Sequence, residues 1–266
     1  MDCSPHATGT VEIDGIRIAF ASWSMPARTD PTFVLLHHGF GCVEDWGAFP
    51  ARLAQRLGCP VLAYSRPDCG WSDPDPKPRG HDFVEREAER LLALVERLTL
   101  GRVHLIGHSD GGSIALMAAA LAPERFQSVA AVAAHVFTEL ETWRAALMIT
   151  ARMRRIGVCQ TIGAVHRNPE RALSQWARVW TDPLFLTWSM VDMLPQITCP
   201  VLVCQSNDDC YGTLRQVQLV REHVTGPVRT EIFTGLGHDP FRRNPEKMLD
   251  VLHGFYGGFL SVEPDV

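Results

Sequence analysis

Three side chains in this sequence are of the types that acyl transfer needs. Ser109 sits in Gly107-His108-Ser109-Asp110-Gly111, after the apolar run Val103–Ile106 and before an apolar segment that begins at Ser113. A Gly-x-Ser-x-Gly turn between a buried strand and a helix can hold a serine hydroxyl out for attack. The helix that follows aims free N–H groups and its positive dipole end at a developing oxyanion. The plainer reading is a serine that caps a buried helix. A hydroxyl nucleophile needs a base. His238 lies in Gly235-Leu236-Gly237-His238-Asp239-Pro240, just after the strand-like run Arg229–Phe233. That places it on a loop at the carboxyl end of a sheet, where base catalysis is worth roughly 10²–10⁴-fold. The imidazole in turn needs a carboxylate to fix its tautomer. Asp208 and Asp209 both follow the run Val201–Cys204, and either gives the chain order Ser…Asp…His. Glu139, beyond the preceding strand, is a more remote choice.

The oxyanion needs donors as well, and losing one typically costs about 2.7–4 kcal/mol of transition-state stabilisation. The backbone N–H of Asp110, next after the serine, is one candidate. The second is the N–H of Phe40, in the loop His37-His38-Gly39-Phe40-Gly41 that follows Phe33–Leu36. An ordinary strand-end turn is the alternative there. The Asp110 side chain reads as a surface salt-bridge group.

These groups must be positioned by a sheet. Phe33–Leu36, Val61–Tyr64, Val103–Ile106, Val129–Ala134, Val201–Cys204 and Arg229–Phe233 are short apolar or strand-like runs. Most are continuous rather than alternating, as in parallel strands covered on both faces. Asp82–Leu98 and Ser113–Leu121 read as helices between them, the second almost wholly apolar and so buried. Thr10–Ile13 and Ile16–Phe20 flank Asp14-Gly15, a hairpin signal. The expected fold class is α/β, with a mostly parallel sheet of about eight strands and helices on both faces.

The stretch 137–194 breaks this rhythm. It is rich in Arg, Met and Trp, punctuated by Pro169 and Pro183, and holds no strand-like run. It is expected to be a helical cap inserted into a core of residues 1–136 and 195–266. Its Trp143 and Trp188, with His135 and His38, are candidate pocket-lining residues; core packing between helices is the plainer role for each. Ser261–Val266 is expected to fray.

Composition excludes several classes. The 266 residues are 46% hydrophobic and 21% charged, ordinary for a globular chain and unlike a disordered or fibrous one. With 25 Lys and Arg against 30 Asp and Glu, the net charge of −5 offers no general attraction for nucleic acid or an anionic membrane. The short basic run Arg152–Arg155 does not alter that balance. No apolar stretch approaches the roughly 20 residues of a membrane span. The start, Met1-Asp2-Cys3-Ser4-Pro5-His6, has neither the basic nor the apolar region of a secretory signal. The eight cysteines lack C-x-x-C spacing, so buried thiols in a reducing cytoplasm are expected, and neither disulfides nor a zinc site. Oligomeric state is left open.

Taken together, His38-Gly39-Phe40-Gly41, Ser65-Arg66-Pro67-Asp68-Cys69-Gly70-Trp71-Ser72, the Ser109 turn, the acid loop and Gly237-His238 resemble the α/β-hydrolase superfamily over most of the chain. In that superfamily the acid follows a glycine by three places. Ser206 stands where that glycine would be, which favours Asp209 over Asp208. The resemblance also implies that Arg66–Ser72 is a loop beside the pocket. It implies hydrolysis of a small-molecule ester, thioester or lactone through an acyl-enzyme, with no cofactor and no metal. The cap's Trp and Met residues suggest an apolar or aromatic substrate group. Two other classes remain open: carbon–carbon hydrolysis or cofactor-free dioxygenation using the His238–Asp209 pair, and a non-catalytic receptor or interaction protein on the same fold.

Overall fold

The computed structural model describes residues 3–23 and 32–260, so the expectation for Ser261–Val266 lies outside the described residues. Eight strands form one sheet: β1 (Ala7–Ile13), β2 (Ile16–Trp23), β3 (Thr32–Leu36), β4 (Val61–Tyr64), β5 (Val103–His108), β6 (Phe126–Val132), β7 (Val201–Ser206) and β8 (Val228–Phe233). Their spatial order is β1-β2-β4-β3-β5-β6-β7-β8. β2 pairs antiparallel with both β1 and β4, and all later pairings are parallel. The β1–β2 hairpin turns at Asp14 and Gly15, whose φ values of 53° and 75° are those of a tight two-residue turn.

The helices are α1 (Phe49–Leu57), α2 (Phe83–Arg97), α3 (Asp110–Leu121), α4 (Leu140–Ile156), α5 (Val158–Ile162), α6 (Pro169–Trp180), α7 (Arg215–His223), α8 (Pro240–Arg243) and α9 (Pro245–Leu260). Side chains alternate across the sheet. On β3, Val34 and Leu36 face a core with α2 and α3, while Phe33 and Leu35 face one with α1 and α9. Every residue of β3, β4, β5 and β7 is buried, which is why their sequences read as unbroken apolar runs.

Several expected boundaries shift. The expected strand Val129–Ala134 ends at Val132, because Ala133 turns to φ 53°. α3 begins at Asp110 rather than Ser113, directly after the serine. Between β6 and β7 lie α4, α5, α6 and two short 3₁₀ turns, Pro183–Thr187 and Val191–Gln196. α6 starts where Asn168 accepts the Arg171 N–H and Pro169 takes the first helical position. An isolated antiparallel bridge, Phe137 to Ser189, closes the base of this segment. No helix among the described residues is long and apolar enough to cross a membrane.

Candidate active site

Ser109 caps the junction of β5 and α3 with φ 54° and ψ −121°, a conformation that L-residues avoid. The flanking glycines make this turn possible. A Cβ on Gly107 would stand 2.1 Å from the Gly111 carbonyl oxygen, and one on Gly111 would stand 2.1 Å from that of Leu36. The Ser109 N–H donates to the Val132 carbonyl at 2.8 Å, tying the turn to β6. A strained residue held this firmly is the kind of backbone found at reactive sites.

His238 Nε2 lies 2.9 Å from Ser109 Oγ. On its other side, Nδ1 lies 2.8 and 3.0 Å from the two carboxylate oxygens of Asp209. A carboxylate accepts, so the proton sits on Nδ1 and leaves Nε2 free to accept from the hydroxyl. Asp209 also accepts from Gln205 Nε2 at 2.9 Å and from the Tyr211 N–H at 2.8 Å. Burial works to raise its pKa, but the bond to His238, the imidazole's charge and the Tyr211 N–H outweigh it and hold the carboxyl below its ordinary value.

Asp208 points elsewhere. Its carboxylate accepts from the Ser206 hydroxyl and from the Gly235 and Gly237 N–H groups at 3.0 and 3.2 Å. Its partners are thus groups other than the His238 ring, and it fastens the loop that presents His238. Ser206 makes this possible, at the position where the resemblance calls for glycine. Glu139 is likewise occupied, accepting from the Thr213 N–H and hydroxyl and from Gln216.

Phe40 and Asp110 flank the serine and line the same pocket. Asp110 is the first residue of α3, so its N–H has no acceptor within the helix. The loop that carries Phe40 is braced by Arg66, which is fully buried. Arg66 Nη1 donates to the His37 carbonyl at 2.6 Å, Nη2 donates to that of His38 at 2.7 Å, and its N–H donates to His37 Nε2 at 3.0 Å. Arg66 thus supports the loop rather than facing substrate. Only its place in the Ser65–Ser72 segment hinted at this, because buried arginines leave no local pattern. The Asp110 side chain is not a surface group. It is 1% exposed and faces Arg79 Nη1 at 3.7 Å, also buried.

The pocket has a volume of about 50 Å³. Of the four candidate lining residues, His38 and His135 line it and Trp143 and Trp188 do not. Trp143 turns its indole N–H to the Thr181 carbonyl at 3.1 Å, and Trp188 stacks on Phe185 at 5.3 Å. Trp176 and Trp180 of α6 take their place, together with Thr142 and Tyr211. The Trp176 ring meets Phe40 edge-on at 5.0 Å, and Tyr211 lies 4.4 Å from the His238 ring. The tryptophan spacing on α6 is a helical i,i+4 pair, a signal that hydrophobicity alone does not separate from core packing. Burial holds His135 and His108 below their ordinary pKa, His108 at about 4.

Among the described residues, one cluster has metal-ligating chemistry. Donor atoms of Cys42, Asp45 and His166 lie within 4.8 Å of one another. Their other bonds argue against a cation. His166 Nδ1 accepts the Gly70 N–H at 2.9 Å, which leaves the proton on Nε2, the atom that would have to ligate. Asp45 is already paired with Arg242 at 2.7 Å, and burial pushes the Cys42 thiol up. Cys69, Cys199 and Cys204 are buried thiols too, each pushed up by burial.

A profile of the alpha/beta hydrolase family matches residues 34–251. The chain belongs to the alpha/beta hydrolase family. Among its curated relatives, the acetyltransferase component of the acetoin cleaving system of Pseudomonas putida is 36% identical over 104 residues, or 38% of this chain and 26% of that protein. The chain thus spans about a quarter of that relative's length. The human serine hydrolase BPHL is 26% identical over 81% of this chain and 75% of its own. A bacterial membrane phospholipase A shares the fold, with TM-score 0.78, 21% identity, and coverage of 96% of this chain and 87% of that one. As an alpha/beta hydrolase, the protein has the eight-stranded, mostly parallel sheet expected from its sequence.

Proposed function

We propose that this alpha/beta hydrolase is a serine hydrolase of small-molecule carboxylic esters, thioesters or lactones. The observation behind the reading is the unbroken chain of contacts from Ser109 Oγ through His238 to Asp209. Ser109 Oγ attacks the carbonyl carbon while His238 Nε2 takes its proton. The N–H groups of Phe40 and Asp110 receive the oxyanion. His238 then returns the proton to the leaving group, which departs as the C–O or C–S bond breaks. A water that gives a proton to His238 attacks the acyl-enzyme, and the acid is released with Ser109 restored.

In this reading the helical segment between β6 and β7 is a cap, because α6 supplies Trp176 and Trp180 to the pocket. A space of about 50 Å³ walled by these rings suits a short acyl group. The buried Arg79–Asp110 pair balances its own charge, which favours a neutral acyl chain. The serine hydrolase name of the human relative agrees with the chemistry and says nothing of this chain's substrate. The test is a p-nitrophenyl ester series from acetate to octanoate, with fluorophosphonate labelling of Ser109. Fastest turnover at acetate to butyrate and stoichiometric labelling are expected. Activity that survives Ser109→Ala would instead favour His238–Asp209 base chemistry without an acyl-enzyme. No labelling and no turnover would point to a binding protein.

A further inference from the structure

A groove of about 640 Å³ lies on the outer face of α4, and Tyr211 forms part of both its wall and that of the Ser109 pocket. Tyr211 is held by its backbone: its N–H donates to Asp209, and its carbonyl accepts from Thr142 Oγ1 and from His135 Nε2. Tyr211 therefore stands where the two spaces meet.

The groove has a charge pattern along its length. Glu141 and Arg144 lie at the end nearer the pocket, where Thr142 lines the pocket itself. Ala145, Met148 and Ile149 follow, with Met148 73% exposed, and Arg152 and Arg155 complete the far end. These positions recur every three or four residues, so they share one face of the helix. Among the described residues, Arg144, Arg152 and Arg155 have no carboxylate within ion-pair distance. The far end is therefore a pair of uncompensated guanidinium groups, the side chain best suited to bidentate capture of phosphate. Arg152 and Arg155 lie ten and thirteen residues beyond Thr142, or about 15 and 20 Å along the helix.

We propose that this groove binds the phosphorylated arm of a short-chain acyl thioester of the coenzyme A type, with the acyl group in the Ser109 pocket. The assignment rests on the serine hydrolase reading and names its substrate class. An arm with an uncharged middle and a terminal diphosphate matches the order of mixed charge, apolar floor and paired arginines. A phosphate held within a few atoms of the scissile bond would fall short of Arg152. Ser109 Oγ bonds to the acyl carbon, the C–S bond breaks, and the sulfur leaves as a thiol with the proton His238 took from Ser109. Water then releases the acid.

Binding and turnover test this separately. Coenzyme A is titrated by calorimetry into the Ser109→Ala protein, with and without Arg152→Ala and Arg155→Ala. Butyryl-coenzyme A and p-nitrophenyl butyrate are assayed with Ser109 intact. Binding that the paired arginine substitutions weaken about tenfold or more, and that rising salt also weakens, is expected. KM for the thioester should rise in parallel while kcat/KM for the nitrophenyl ester stays within about twofold. Equal binding with and without the arginines overturns the assignment. Hydrolysis of the nitrophenyl ester with no coenzyme A binding overturns it too, and leaves the hydrolase reading standing. Arginine-dependent coenzyme A binding with no hydrolysis of any ester or thioester supports the groove and removes the hydrolase reading. Cosedimentation with phosphatidylglycerol vesicles through the same arginines, without coenzyme A binding, overturns it in favour of a lipid surface.

Discussion

Asp208 and Asp209 are neighbours in sequence, yet their carboxylates have different partners. Asp209 meets the imidazole, whereas Asp208 meets two backbone N–H groups of the loop that carries it. In the proposed mechanism Asp209→Asn removes the acceptor that selects the working tautomer. We expect kcat to fall about 10³–10⁴-fold with KM little changed, in steady-state assays of a nitrophenyl ester. Asp208→Asn keeps an acceptor oxygen for the loop, and kcat should fall less than about tenfold. Equal losses from the two would contradict the assignment. That Ser109, His238 and Asp209 would come together was legible because each sits at a fixed offset from a strand end or a glycine. Arg66 was not, because its work is to satisfy carbonyl groups 27 to 29 positions away. Trp143 and Trp188 were misread for the same reason: composition places a tryptophan in the helical segment but does not say which way the ring turns.

At the scale of elements, the β5–α3 turn holds the serine by steric exclusion. Gly111→Ala places a methyl group 2.1 Å from a backbone oxygen that β3 cannot readily move. We expect a loss of about 2–4 kcal/mol in denaturant unfolding, together with lost turnover. Gly15→Ala meets nothing within 4 Å and is strained only by its φ of 75°, so its cost should be closer to 1 kcal/mol. A similar cost at both positions would contradict the account. The strands were easy to read because burial on both faces leaves continuous apolar runs. The start of α3 was hidden, because Asp110, Gly111 and Gly112 are poor helix formers held in place by the turn before them.

The whole molecule buries many imidazoles. His37, His108, His135 and His166 are each at most 4% exposed, and burial is the leading cause that holds each below its ordinary pKa. Unfolding lets them take up protons below about pH 6.5. The unfolded state then binds more protons than the folded one, so stability rises with pH through that range. It should fall as pH drops from about 6.5 toward 4, by up to about 1.4 kcal/mol per unit for each histidine that stays neutral in the folded protein. Urea midpoints at pH 7 and pH 5 check this; a flat or opposite trend would contradict it.

The central claim is that Ser109 is the nucleophile. The most direct measurement is the hydrolysis of p-nitrophenyl butyrate by the wild-type protein and by Ser109→Ala, with the burst of nitrophenol followed before steady state. The account predicts a burst of about one equivalent per protein if deacylation is slower than acylation, and a fall in kcat of about 10³-fold or more in the variant. Turnover that survives the loss of the Ser109 hydroxyl would contradict it.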